Sequence, residues 1–263
     1  MKKSLSLILI TMILFASSAT SFANTEVWAV NDTLGTVSIQ WTKEITSKLL
    51  LLVEKDGKRY TYPVVDSDIN QFPLQMGNGT YTVRLMENIT GTKYKELTRT
   101  TASINLEDVQ SVYLNSIQDI EWNENQAAIK KASALTKGMK ADEEKVKAIY
   151  QYVTKNFVYD YQKARTVTSG YFPNVESTFT SKTGICYDYS SLFAAMLRSV
   201  DVPTKLVKGY SNVTKDVYHA WNEVYVDGEW KVIDTTVDAP TVQSNRSTVM
   251  YKAPSTYRAE RFY

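Results

Sequence analysis

Cysteine and histidine are almost missing from this chain: 263 residues contain one of each. A single cysteine permits no internal disulfide, so the fold is not a stapled scaffold and has to rest on an apolar core. One cysteine and one histidine are also too few for a zinc site of the usual composition. The acids of "VVDSDIN" (64–70) lack EF-hand spacing, and no phosphate-binding glycine loop occurs. Neither a metal nor a nucleotide cofactor is therefore expected. Net charge is equally scarce, with 30 basic against 28 acidic residues. Nothing in that balance argues for nucleic acid or an anionic membrane as a partner.

The one long apolar run is N-terminal. Lys2 and Lys3 precede the stretch Leu5 to Ala16, and a small-residue segment ends Ser21-Phe22-Ala23. This is the layout of a secretory signal peptide cut after Ala23. The run is well short of the roughly 20 residues a spanning helix needs. The expectation is a secreted or cell-surface protein with no membrane attachment after signal removal. Loss of Lys2 and Lys3 leaves 28 basic against 28 acidic residues. The remaining chain of about 240 residues suffices for one large core or two smaller ones.

Two kinds of pattern divide that chain. From Thr25 to about Leu106 it reads as short alternating strands separated by turn signals. "TVSIQW" alternates Val37, Ile39 and Trp41; Asp56-Gly57 separates two apolar runs as a hairpin turn; Tyr81, Val83 and Leu85 alternate after Asn78-Gly79. Six or seven such strands predict a small antiparallel sandwich of immunoglobulin or fibronectin-III type, serving as a spacer or binding module. After Val109 the period becomes helical. "NENQAAIKKASALTKG" reads as a helix stopped by Gly138, and Val146, Ile149, Tyr150, Val153 and Phe157 form one stripe of a second. Tyr161 to Thr183 reads as loop-rich. The organisation expected is a signal peptide (1–23), a β-sandwich (24–108), a helical linker (109–140) and a catalytic domain (141–263).

The sole cysteine and sole histidine lie close together in that last region. Leu192, Ala195, Met196 and Ser199 recur at helical spacing, which puts Cys186 at a helix N-terminus. Unpaired backbone N–H groups and the helix dipole there favour thiolate over thiol, and the same groups suit a developing oxyanion. Gly184 permits a tight backbone entry. "YHAWNEVYVDGEWKVID" reads as a hairpin turning at Asp227-Gly228, with His219 on its first strand and Asp234 at the end of its second. A carboxylate across the pair orients an imidazole and stabilises its charged form. By strand alternation Trp221 faces the same side as His219, to shield the site from water or to fill the core; the run "VYDYQ" (158–162) and the pair Tyr187/Tyr189 are candidates for a substrate groove, with packing in the core or rim as the alternative.

"GICYDYSSLFAAMLRSVDVPTKLVKGY" followed by "HAWNEVYVDGEWKVIDTT" resembles the core of the transglutaminase-like superfamily, over roughly Asp142 to Thr236. The resemblance implies a papain-like α+β fold, with the nucleophile helix packed on an antiparallel sheet. It implies Cys186 as nucleophile, His219 as general base and acid, and Asp234 as the orienting partner. Two positions depart from the family pattern. Asp201 stands where glycine is common, and "IDTT" stands where many relatives read Asp-Pro-Thr; neither removes a catalytic group. The chemistry implied is attack on an amide carbonyl, a thioester intermediate, and transfer of the acyl group to water or an amine. The partner is then a protein or peptide substrate, with surface proteins or cell-wall peptides as expected classes. The backbone N–H of Cys186 is one oxyanion donor, with Tyr171 or Gln162 as side-chain candidates for the second. The alternative is a catalytically idle scaffold serving as a secreted binding or adhesion module.

Overall fold

The computed structural model describes residues 27–40, 46–65, 70–215 and 217–263. The expected signal segment 1–23, Trp41 and the acids of "VVDSDIN" lie outside them. Seven strands occupy the N-terminal part of the described chain: β1 (Val27–Asn31), β2 (Thr36–Gln40), β3 (Leu49–Lys55), β4 (Lys58–Val64), β5 (Asn70–Pro73), β6 (Gly79–Thr90) and β7 (Lys93–Ile104). They form two antiparallel sheets, β1-β2-β5 and β4-β3-β6-β7. Alternation decides which face turns inward: Val37 and Ile39 from one sheet, and Leu51, Val53, Tyr81, Val83 and Leu85 from the other, are buried in a common core. The sheets meet through rings, with Tyr62 and Phe72 centroids 5.4 Å apart. Asp56 and Gly57 both take positive φ (49° and 74°), the backbone that a two-residue hairpin between Lys55 and Lys58 requires.

The remainder of the chain is α+β. In order it contains α1 (Ala127–Leu135), α2 (Asp142–Asn156), β8 (Val158–Tyr159), α3 (Tyr161–Thr166), α4 (Val175–Ser181), β9 (Thr183–Gly184), α5 (Cys186–Arg198), β10 (Thr204–Ser211), β11 (Tyr218–Val226), β12 (Glu229–Ile233), α6 (Thr235–Gln243), β13 (Tyr251–Lys252) and β14 (Tyr257–Phe262). An antiparallel sheet runs β13-β12-β11-β10-β14, and α5 packs against β10 and β11 at its centre. Leu192 to Leu197 are each fully buried, so α5 is apolar all round rather than along one stripe, as befits a helix enclosed by its own domain. It ends at Arg198, whose guanidinium donates to the carbonyls of Asn115, Thr204 and Tyr263. Asp201 then turns the chain at φ 64°, a left-handed conformation that aspartate tolerates better than most residues.

Two segments differ from their sequence reading. The stretch 161–183 is not mainly loop: it holds α3 and α4. Polar caps nucleate both, since Asp160 accepts the Lys163 N–H at 2.8 Å and Asn174 accepts the Ser177 N–H at 2.7 Å. Gly170 and Pro173, which dominated that reading, occupy the connection between the two helices. The region read as a helical linker has Ala128, Ile129 and Ala132 of α1 buried in the core, where α1 packs on α4 and α5.

Candidate active site

Cys186 is the first residue of α5, held there by its own helix. Asp188, fully buried in the first turn, accepts the Ile185 N–H at 2.8 Å, so the residue before the cysteine is capped. The same carboxylate accepts the Lys163 ammonium at 2.7 Å and the Tyr171 hydroxyl, which fastens the α3 region to the cysteine turn. Gly184 is needed for room rather than for unusual φ: a Cβ there would sit 2.6 Å from the Asp188 Cβ. On the other side, Val158 and Tyr159 of β8 pair in parallel with Thr183 and Gly184 of β9. The cysteine is thus gripped by a short sheet on one side and a buried carboxylate on the other.

His219 stands on β11, opposite Gly209 of β10. Its Nε2 lies 2.8 Å from Asp234 Oδ2. With Nε2 taken, Nδ1 is the nitrogen left for the cysteine. Burial opposes charge on the ring most strongly. Hydrogen bonds and charge from Asp234 and Cys186 together outweigh it and raise His219 to about 10. An imidazolium is therefore the expected form at neutral pH whenever the sulfur carries negative charge. The sequence places Asp234 across the hairpin, yet the last paired residues are Asn222 and Ile233. Asp234 lies beyond the strand as the N-cap of α6, where Oδ1 accepts the Val237 N–H at 3.1 Å and Oδ2 serves the histidine. This explains the "IDTT" departure: Thr235 is the first helical residue, a position that suits proline equally well.

Tyr257 of β14 donates a second hydrogen bond to Asp234 Oδ2 at 3.0 Å, a partner the sequence did not reveal because it lies 23 residues downstream on an edge strand. Trp221 is buried and stacks on His219, with centroids 6.2 Å apart and planes 24° from parallel. Gly209 makes room for it, because a Cβ there would collide with the Arg258 carbonyl and sit 3.0 Å from the Trp221 ring.

Two clefts meet at Cys186, Tyr218 and His219. The larger, about 450 Å³, runs under the 167–171 connection and over Tyr187, Lys208 and Ala220. The smaller, about 290 Å³, is walled by Tyr159, Tyr161, Val217, Val237 and Pro240. Tyr187 lines the larger cleft, whereas Tyr189 is buried. Of the oxyanion donors suggested by sequence, Tyr171 is committed to Asp188, and Gln162 is exposed on α3 and lines neither cleft. Tyr159 instead lines the smaller cleft beside Cys186 and His219, and among the described residues its hydroxyl makes no hydrogen bond. Burial, then the neighbouring negative charge of Cys186, push that hydroxyl up to about 12, so it remains a donor.

Residues 129–235 match the profile of the transglutaminase-like superfamily. The kyphoscoliosis peptidase of Mus musculus is 30% identical over 116 residues, covering 41% of this chain and 17% of that protein. The kyphoscoliosis peptidase of Homo sapiens is 32% identical over 104 residues, covering 36% and 16% respectively. The chain therefore spans less than a fifth of the length of these relatives. Among solved structures, the periplasmic domain of TgpA from Pseudomonas aeruginosa overlaps 76% of this chain and 71% of its own, at 16% identity and a TM-score of 0.38. The helix bearing Cys186 and the hairpin strand bearing His219 both fall inside the matched segment: residues 129–235 form a domain of the transglutaminase-like superfamily.

Proposed function

We propose that this protein is an exported cysteine-dependent acyl-transfer enzyme acting on amide bonds of proteins or peptides. The observation that carries this reading is the placement of His219 between Asp234 and Cys186, at the point where two clefts converge. The Cys186 sulfur attacks the amide carbonyl, and the carbon–oxygen electrons move onto the oxygen. The Cys186 N–H and the Tyr159 hydroxyl receive that charge. As the tetrahedral centre collapses, the carbon–nitrogen bond breaks and the His219 imidazolium gives its proton to the departing amine, leaving a thioester. His219, now neutral, takes a proton from the acceptor, whose oxygen or nitrogen displaces the sulfur. Asp234 holds the ring in one tautomer and offsets its charge throughout. Water is the acceptor this reading prefers, because water needs no dedicated acceptor site, whereas an amine does.

Limiting iodoacetamide between pH 5 and 9, read by mass spectrometry beside a His219→Ala variant, tests the pair directly. Rapid alkylation below pH 7 that slows in the variant supports the enzyme. Alkylation confined to alkaline pH and indifferent to His219 sinks it in favour of a binding scaffold. Export is checked separately: mature protein recovered outside the cell should begin at Asn24.

A further inference from the structure

The two clefts beside Cys186 differ in charge. Among the described residues, the smaller is lined by no ionisable side chain beyond tyrosines and the Cys186–His219 pair, and neither by an Asp or Glu. The larger has one additional charge, Lys208, set among apolar and small polar residues. Lys208 projects from β10 at the position paired with Ala220. Its ammonium sits 3.6 Å from the centroid of the Tyr187 ring, the residue next to the nucleophile. One of its three N–H groups donates to Asp119 Oδ1 at 3.1 Å, and the ammonium also lies 4.6 Å from the centroid of the Tyr263 ring.

Asp119 does not neutralise this corner by itself. Its Oδ1 also accepts the Tyr187 hydroxyl, so one carboxylate oxygen is shared between the ammonium and that ring. Among the described residues Lys208 is thus the one cation that lines this largely apolar cleft besides His219, and its acid is shared with the Tyr187 hydroxyl. Such a cleft focuses the surplus charge on whatever enters it.

We propose that Lys208 forms a carboxylate subsite, so that the peptides this protein processes carry an Asp or Glu side chain beside the amide attacked by Cys186. The acidic side chain lies in the larger cleft with an oxygen on a free Nζ donor, and the neighbouring carbonyl rests over the sulfur. This assignment rests on the amide-processing reading above but is separable from it, because charge recognition near a thiol does not require catalysis.

Cys186 is the sole cysteine, so any thiol reagent reports on this site alone. The test uses the full chain and two reagents of equal size, the α-amides of N-iodoacetyl-glutamate and N-iodoacetyl-glutamine. Their rates are expressed as a ratio, corrected by the same ratio on glutathione. The expected glutamate preference is about five- to tenfold at low ionic strength. It should shrink towards one in concentrated salt, and also in Lys208→Met. A Lys208→Met/Asp119→Asn double variant removes the ion pair together, which guards against a buried unpaired acid. A ratio near one in the unaltered protein overturns the proposal and leaves Lys208 a structural partner of Asp119. A preference that survives both variants also overturns it, assigning the attraction to His219. Failure of the enzyme reading shows differently, as alkylation by iodoacetamide that ignores His219, while the glutamate-to-glutamine ratio stays readable.

Discussion

The N-terminal sheets and the transglutaminase-like domain use the same local devices and bury different things. Each contains a two-residue Asp-Gly hairpin with both residues at positive φ, and each turns alternate apolar side chains inward. Residues 27–104 bury almost only apolar side chains, with Thr36 and Gln75 as polar exceptions. The later region buries Asp119, Asp188, Arg198, His219, Asn222, Asp234 and Asp238. Burying a charge is costly unless a partner meets it, and each buried acid here has one: Lys208 for Asp119, Lys163 for Asp188, His219 for Asp234 and Lys252 for Asp238. The lesson is that both regions draw stability from buried apolar area, and the later one adds geometry held by paired charges.

The largest test of that distinction is Asp234→Asn. Asparagine caps a helix about as well as aspartate, so α6 should persist while the ring loses its counter-charge. Amide turnover is expected to fall about 10⁴-fold. His219 should drop from about 10 towards its ordinary 6.5. In the unaltered protein the imidazolium stabilises the fold fully below about pH 6.5, and this contribution is lost as pH rises through about 10. Thermal melts across that range should therefore flatten in the variant.

Next comes Tyr159→Phe, which keeps the ring and deletes the hydroxyl. Turnover should fall about 100-fold if it serves the oxyanion, while alkylation by iodoacetamide, which forms no oxyanion, stays the same. Equal losses in both assays would mean that the ring only shapes the cleft.

Leu85→Ala addresses the other region. Leu85 is fully buried in the second sheet, so the substitution should cost about 2–5 kcal/mol in denaturant unfolding. Cys186 alkylation of the folded fraction should not change. A slowed thiol would show that the regions are coupled, and the route would run through β14, where Arg261 donates to the Thr61 carbonyl and Gln75 to the Phe262 carbonyl.

The smallest effect belongs to Tyr257→Phe. Losing one donor to Asp234 should lower turnover by about fivefold. It leaves more of the Asp234 charge to the ring and moves His219 upward, opposite to Asp234→Asn, so the two pH profiles should shift in opposite senses.

Local chemistry was legible in the chain itself. Asp-Gly pairs announced both hairpins, because few other dipeptides take two positive φ angles. The helical spacing after Cys186 put the thiol at a helix start. A single Cys and a single His, each in a recognisable motif, pointed to the residues that the fold draws together. Other features left no periodic trace. α3 and α4 are too short for hydrophobic periodicity to register and depend on the caps Asp160 and Asn174.

By itself the sequence determined the elements and the reactive side chains, since turn type, alternation and helix caps act over a few residues. Only the tertiary structure decided who faces whom. It set Asp234 on a helix cap, brought Tyr257 to it from an edge strand, occupied Tyr171 with Asp188, and left Tyr159 and Lys208 in the clefts. Those outcomes depend on contacts between residues far apart in the chain, fixed when α5 is enclosed and each buried charge has to find its partner.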